Sequence, residues 1–223
     1  MVPAALRILA KLLAALILAS LALTIVYRFV PVPVTATMLM DPNGITKDWT
    51  PLARIDRNMV AAVIAAEDGK FCTHNGFDRE AIEQAIEERL SGERERGGST
   101  ISQQTAKNVF LWQGGGFFRK GLEAWFTFLI ENLWDKRRIM EVYLNVAETG
   151  IGTYGVEAGA QRYYRRSAER LLPVEAARMA AVLPSPKTRA VVSPGGFTRR
   201  YGNTIAARIG VVRRDRLDGC VYQ

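Results

Sequence analysis

The stretch GGSTISQQTAKN, residues 97–108, gathers neutral hydrogen-bonding side chains around one lysine. Read as a helix, it sets Thr100, Gln104 and Lys107 at i, i+4 and i+7 on one stripe, with Gln103 four residues before Lys107. Hydroxyls and amides beside a cation suit a hydroxyl-rich ligand with an anionic group, such as a sugar carrying phosphate. Composition alone favours a solvated helix face, against which Gly97 and Gly98 allow a close backbone approach. In AAEDGKFCTHNGFD (65–78), Glu67 and Asp68 end an apolar run. A carboxylate on a buried flank has a raised pKa and can act as a base. An exposed helix end is the plainer reading, and His74 alone reads as a structural hydrogen-bonder. In FFRKGLEAW (117–125), Arg119 and Glu123 stand at i, i+4 with Lys120 beside them. That is either a helix salt bridge of small worth or a cationic pair for phosphate with a carboxylate alongside. In residues 136–164, glycines at 150, 152 and 155 make a tight turn that Asn145 and Glu148 enter. Alone, this is a helix–turn–helix support element.

The elements that must position these residues are helices joined by short glycine- or proline-marked loops. Residues 55–68 put Met59, Val60, Val63 and Ile64 on one face. Asp78 is a good N-cap for 79–90, with Ile82, Ala85 and Ile86 inward. Ser99 is positioned to cap a helix through about residue 109. Residues 119–134 carry Leu122, Trp125, Phe126, Leu129 and Leu133 at helical spacing, and 136–146 carry Ile139, Val142, Tyr143 and Val146. Further helices are expected at 156–164, at 174–183 with Pro173 at its start, and at 197–213. The basic 199–216 run reads either as a packed helix or as a lipid-surface contact. No convincing alternating strand and no internal repeat is present. The class is mainly α.

Residues 12–27, LLAALILASLALTIVY, carry no charge, and Arg7 and Lys11 precede them while Arg28 follows. With snorkelling, the usable span extends to about residues 6–30. The cations on the N-terminal side put the N-terminus in the cytoplasm and the rest outside; a cleaved signal peptide is the rival reading. Residues 1–33 are thus the cytoplasmic tip, membrane anchor and a stiff extended linker through Pro31 and Pro33, and 34–223 form one exported domain. Thirty Lys+Arg against 22 Asp+Glu give a net charge of +8. Such a balance suggests anionic partners, yet no nucleic-acid module is recognisable and nucleic acid is not expected as a partner. One His and two Cys leave no zinc-type cluster. A Cys72–Cys220 bridge is open outside the cytoplasm, but sequence does not show proximity.

Together and in this order, the stretches resemble the peptidoglycan glycosyltransferases, or murein polymerases. These occur as the N-terminal half of bifunctional penicillin-binding proteins and as stand-alone enzymes. The matching residues are E-D-x-x-F-x-x-H-x-G at 67–76, G-G-S-T-I-x-Q-Q-x-x-K-N at 97–108, R-K-x-x-E at 119–123, the Y-L-N…G-x-G-x-x-G-V run at 143–156, and LPVEAARMAAVLPSPK at 172–187. The resemblance covers about residues 52–190. Ser102 stands where the family usually has Thr and keeps the hydroxyl. Cys72 is not a family feature, which argues against a bridge through it. No penicillin-binding Ser-x-x-Lys, Ser-x-Asn or Lys-Thr-Gly set appears, so the chain looks like the monofunctional, membrane-anchored type.

The resemblance implies a mainly α fold with a lysozyme-like larger lobe and a small membrane-facing lobe, anchored by one N-terminal transmembrane helix in a bacterial inner membrane, with the catalytic domain on the periplasmic side. It implies polymerisation of lipid II into glycan strands, with inversion at the anomeric carbon and release of polyprenyl diphosphate. Glu67 is then the base, and Glu123 the second catalytic carboxylate. Asp68, Phe71, His74, Thr100, Gln104, Lys107, Asn108, Arg119 and Lys120 are expected to bind substrate. A divalent cation (Mg²⁺ or Mn²⁺) has a place in this chemistry, with Glu67 or Glu123 as its candidate ligand; no organic cofactor is implied. Lipid II, the growing glycan strand and the membrane are the expected partners, along with penicillin-binding and division proteins. The rivals are a lysozyme-like lytic transglycosylase, which needs no diphosphate-binding cations, and a catalytically idle scaffold. Between the motifs, Phe110, Leu111, Trp112, Phe117 and Phe118 flank three glycines and read as a flap dipping into the outer leaflet, or as core packing at two helix ends.

Overall fold

The computed structural model of the chain describes residues 3–91 and 98–222, without the side chains of 85–86 and 88–90. Among the described residues, ten α-helices and a small sheet follow in order: α1 (Ala4–Phe29), α2 (Ala36–Leu39), β1 (Thr46–Lys47), α3 (Arg57–Glu67), α4 (Arg79–Leu90), α5 (Ile101–Phe110), α6 (Gly116–Leu133), α7 (Lys136–Val146), β2 (Glu148–Gly150), β3 (Thr153–Tyr154), α8 (Val156–Tyr164), α9 (Pro173–Val182) and α10 (Gly196–Arg214). The expected helices all form, with ends shifted by at most three residues. The strands correct the expectation of none: β1 pairs parallel with β3, and β2 pairs antiparallel with β3. Two or three residues are too few to show alternation. The inward facing expected of Ala85 and Ile86, and the entry glycine Gly97, lie outside the described residues.

The core has two helical groups. α3, α9 and α10 pack on one another, and α5 packs between α6 and α7. α3 is buried through Met59–Ile64, and α9 through most of its length. α10 settles the question of the basic C-terminal run: it is a packed helix, with Gly202, Ile205, Ile209 and Val212 inward.

α1 is 26 residues of mostly exposed apolar side chains. At 1.5 Å per residue it is roughly 39 Å long, enough to cross a ~30 Å hydrocarbon layer. Its last turns are docked. Trp134 Nε1 donates to Thr24 O at 2.8 Å, and Trp125 Nε1 to Ser20 Oγ at 3.1 Å. Arg138 donates to the carbonyls of Tyr27 and Val30. The linker is seated too, since Val32 is buried and Lys47 Nζ donates to Pro33 O at 3.1 Å.

Cys72 and Cys220 form a disulfide across 148 residues of sequence, with Cα atoms 5.5 Å apart. This corrects the argument against it. The bridge ties the loop after α3 to the C-terminal segment. That segment is also held by the bidentate Arg57–Asp218 pair, with Asp218 fully buried. Replacing Cys72 with Ser is expected to lower the folding free energy by about 2–5 kcal/mol, since cross-linking so long a loop removes much of the unfolded chain's freedom. Chemical denaturation checks this; an unchanged midpoint would show that the bridge carries no stability.

Candidate active site

A cleft of about 570 Å³ opens between α5, α7, β2 and the segments 37–42 and 183–188. Gln104, Lys107 and Asn108 line it from α5. The register of α5 is set by a capping box: Thr100 Oγ1 accepts from Gln103 N at 3.1 Å, and Gln103 Oε1 accepts from Thr100 N at 3.0 Å. Thr100, not Ser99, is therefore the cap. This also corrects its place in the stripe. Thr100 is buried, and its hydroxyl donates to Gly76 O at 2.7 Å. The stripe that reaches the cleft is Gln104, Lys107 and Asn108.

Glu67 is the last residue of α3. Gln104 Nε2 donates to its Oε2 at 2.8 Å, and Tyr143 OH donates to Gln104 Oε1 at 3.2 Å. Oε1 of Glu67 is shut off from water and has no partner among the described residues. Burial pushes the Glu67 pKa up, and Asp68 adds to this, while the Gln104 bond, Arg189 and Lys107 oppose it. The result is a carboxylate placed by one bond and left with a free, desolvated oxygen.

Lys107 is flanked by a second constellation at the start of α6. Arg119 Nη1 donates to Glu123 Oε2 at 2.7 Å, and Lys120 Nζ donates to Glu123 Oε1. Glu123 is 2% exposed. Burial lowers the Lys107 pKa; Arg119 and Lys120 push the same way, and Glu123 and Glu67 oppose them. Two cations thus hold one engaged carboxylate, and Lys107 stands near enough to feel the charges of both this cluster and Glu67.

Four expected substrate contacts face the scaffold instead. Asp68 is buried and accepts from Ile101 N at 2.9 Å and from His74 Nε2 at 2.9 Å. His74 Nδ1 accepts from Gly76 N at 3.1 Å, which puts the ring proton on Nε2. Phe71 is fully buried beneath Lys136 Nζ, 4.7 Å from the ring centre. Thr100, Asp68, Phe71 and His74 therefore form the joint between the α3 end and the α5 start. Gly76 closes it: at φ +86° a Cβ there would stand 2.8 Å from Thr127 and from Glu131. Asn145 is likewise a brace. It accepts from Thr50 N at 2.7 Å and donates to Thr50 O at 2.9 Å, as the support reading of that turn expected.

The sequence reading missed the far wall. Asp41, Glu148, Tyr154 and Lys187 line the cleft, and Tyr143 joins it to Glu67. Tyr143 and Lys187 lie inside two of the motifs, and in sequence Glu148 is only a polar group at a turn. Asp41 had no signal, because it comes from an irregular segment brought in by β1. The aromatic flap divides. Leu111 is buried and Phe110 stacks on Phe126 at 4.4 Å, whereas Phe117 and Phe118 are exposed.

Residues 35–209 match the family model described as Transglycosylase. The chain is similar to the biosynthetic peptidoglycan transglycosylase of Caulobacter vibrioides, at 50% identity over 96% of this chain and 97% of that one. It is also similar to the protein of the same name from Rhodospirillum centenum, at 46% identity over 99% and 97% of the two chains. A third, from Bdellovibrio bacteriovorus, is 49% identical over 85% of this chain and 81% of its own.

Proposed function

We infer the reaction from the premise that the chain belongs to the transglycosylase family and polymerises glycan strands in peptidoglycan synthesis. The substrate proposed is lipid II, a disaccharide–peptide on a polyprenyl diphosphate. The 4-hydroxyl of the incoming unit attacks the anomeric carbon of the growing strand. Polyprenyl diphosphate leaves, and an α-linkage becomes a β-1,4 bond. The observation that carries this is Glu67, with a partnerless buried oxygen and a raised pKa beside a cluster of cations.

A sugar hydroxyl is a weak nucleophile, so a base has to take its proton as the bond forms. Glu67 Oε1 is free for that proton, while Gln104 fixes Oε2. A diphosphate leaves as an anion and needs charge neutralisation at its oxygens. Lys107, Arg119 and Lys120 supply it from pre-set positions, with Asn108 as a neutral donor. Glu123 has both oxygens engaged and acts as a positioning residue that holds Arg119 and Lys120 together.

The residues do not fit a dedicated metal cage. Glu123 is occupied by its two cations, Glu67 is a lone carboxylate, and no group of three His, Cys, Asp or Glu side chains gathers among the described residues. A Mg²⁺ or Mn²⁺ ion is accordingly proposed only as a companion of the diphosphate. α1 is proposed as a single-pass anchor in the cytoplasmic membrane with the cleft on the outer side. Penicillin-binding and division proteins are the proposed protein partners.

Phe117, 90% exposed, and Phe118, 73% exposed, are proposed to enter the lipid surface beside the cationic cluster. Serine at both positions in the full chain is expected to lower turnover in liposomes several-fold more than in detergent, since each buried ring contributes a few kcal/mol to partitioning. Equal losses in the two settings would remove the membrane role. The test of the reaction itself is purified full-length chain with labelled lipid II, its products resolved on a gel. A ladder of lysozyme-sensitive polymer is expected; cleavage of preformed glycan without polymer would replace the polymerase by a lytic enzyme.

A further inference from the structure

Glu67 projects from the last turn of α3, and the C-terminal part of the chain holds that turn from outside. The last carbonyls of a helix have no partner within it. Here Asp68 N donates to Ile64 O at 3.2 Å, and Ala66 O accepts from Tyr201 OH at 2.7 Å, a bond across 135 positions of sequence. Tyr201 belongs to α10. Burial and the charge of Glu67 push its pKa up, with Arg189 and Arg208 opposing, so the phenol stays a donor. Phe197, one turn earlier in α10, stacks on Tyr201 with ring centres 5.6 Å apart. The Arg189 guanidinium stands 5.2 Å from the centre of the Phe197 ring, and its Nη1 donates to Ala181 O in the last turn of α9 at 2.8 Å. Contacts thus run from the end of α9 through Arg189, Phe197 and Tyr201 to the residue before Glu67.

Two observations point beyond the bracing of helix ends. Phe197 is 55% exposed, so it is no core residue; what it supports is the Arg189 guanidinium on one side and Tyr201 on the other. Arg189 also acts on Glu67 more strongly than Lys107 does. The other groups that face Glu67 are Gln104 and Lys107 from α5, Tyr143 from α7, Tyr201 from α10 and its neighbour Asp68. Lys107 is the cation that meets the diphosphate, and a bound anion takes up its charge. Arg189 is tied to a protein carbonyl and an aromatic ring. It remains to offset the negative charge that the substrate brings near a carboxylate whose work requires ionisation.

We propose that Arg189, Phe197 and Tyr201 are positioning residues for the base: Tyr201 fixes the turn that carries Glu67, and Arg189, propped on Phe197, gives Glu67 a counter-cation that the substrate does not claim. The inference rests on the glycosyl-transfer reading and deepens the part Glu67 has in it. None of the three needs to touch the substrate, so their loss acts on turnover and spares binding.

The experiment uses the full-length chain in detergent with labelled lipid II, and reads kcat, KM and the melting temperature. Tyr201→Phe keeps the ring and its stack and removes only the bond to Ala66 O. It is expected to lower kcat by about three- to tenfold, the worth of one hydrogen bond, with KM little changed. Arg189→Met keeps length and an apolar contact with Phe197 but no charge. It is expected to lower kcat by about three- to tenfold on the acid side of the pH profile, and less on the alkaline side, where Glu67 ionises without help. Arg189→Lys is expected to recover much of that loss. Phe197→Leu removes the prop; it should shift kcat in the same direction, and it carries the test if Arg189→Met does not fold. A lowered melting temperature with unchanged kcat would leave only a brace of the fold and overturn the proposal. So would a raised KM at unchanged kcat, which would mark a substrate contact, or equal losses in the Met and Lys variants. Absence of polymer from the unaltered chain would instead overturn the underlying reaction.

Discussion

Glu67→Gln is expected to stop strand synthesis, lowering the coupling rate by about 10²–10⁴-fold, while the protein stays folded. The substitution keeps shape and keeps an oxygen to accept from Gln104, so the joint between α3 and α5 survives. What is lost is the proton acceptor. The same substitution should change stability in a direction that reports burial. Glu67 has a folded pKa above its ordinary value of 4.5. Such a group favours the fold while protonated, and that contribution is lost as pH rises through the folded pKa. The Gln variant stays neutral throughout. Its melting temperature should therefore gain on the unaltered chain as pH rises across that range. A constant difference at all pH values would mean that Glu67 is not held in a desolvated place. Retained coupling would mean that another group takes the proton.

Lys107→Ala is expected to lower kcat/KM for lipid II by about 10²–10³-fold, the usual effect of removing one pre-placed donor from a developing anion. Its position explains the size. Lys107 is partly buried between Glu67 and the Arg119–Lys120–Glu123 cluster, and both burial and those two cations lower its pKa from 10.5. A ligand anion offsets the repulsion from the two cations, and in a place screened less by water the ammonium interacts more strongly with diphosphate than a solvated lysine does. The rate should also fall on the alkaline side as Lys107 loses its proton, below the pH at which an ordinary lysine does. Lys107→Arg keeps the charge and is expected to remove that alkaline fall while lowering the rate through changed geometry. Steady-state kinetics across pH separates the two effects. An alkaline limb that persists in the Arg variant would belong to another group.

Much of the molecule was legible because its helices carry their own signals. Apolar spacing marked α3 and α7, a Pro at N1 marked α9, and an uncharged run marked α1. The order and spacing of the motifs also singled out Glu67, Gln104, Lys107, Arg119 and Lys120, and the structure bonds Gln104 to Glu67 and sets Lys107 between Glu67 and the Arg119–Lys120–Glu123 cluster. What sequence blurred was the division of labour inside the motifs. Thr100, Asp68, Phe71 and His74 stand beside Glu67 and Gln104 in the same motifs, yet they face inward. Helix phase alone does not show which polar residue of a helix start becomes its cap. Asp41 and Glu148 were hidden for the opposite reason. They meet across 107 residues of chain (148 − 41), through a sheet too short to announce itself. The disulfide was hidden because proximity is a tertiary property, and the rarity of Cys72 in the family argued the wrong way.

The central claim is that Glu67 acts as an ionised base in a desolvated place. The most direct test is the pH dependence of the coupling rate at saturating lipid II. The rate should rise with pH through a limb centred above 4.5, the ordinary value for a glutamate, because only the ionised carboxylate takes the proton. A rate that instead climbs as pH falls through that range would mark a protonated carboxyl working as an acid, and would contradict the account.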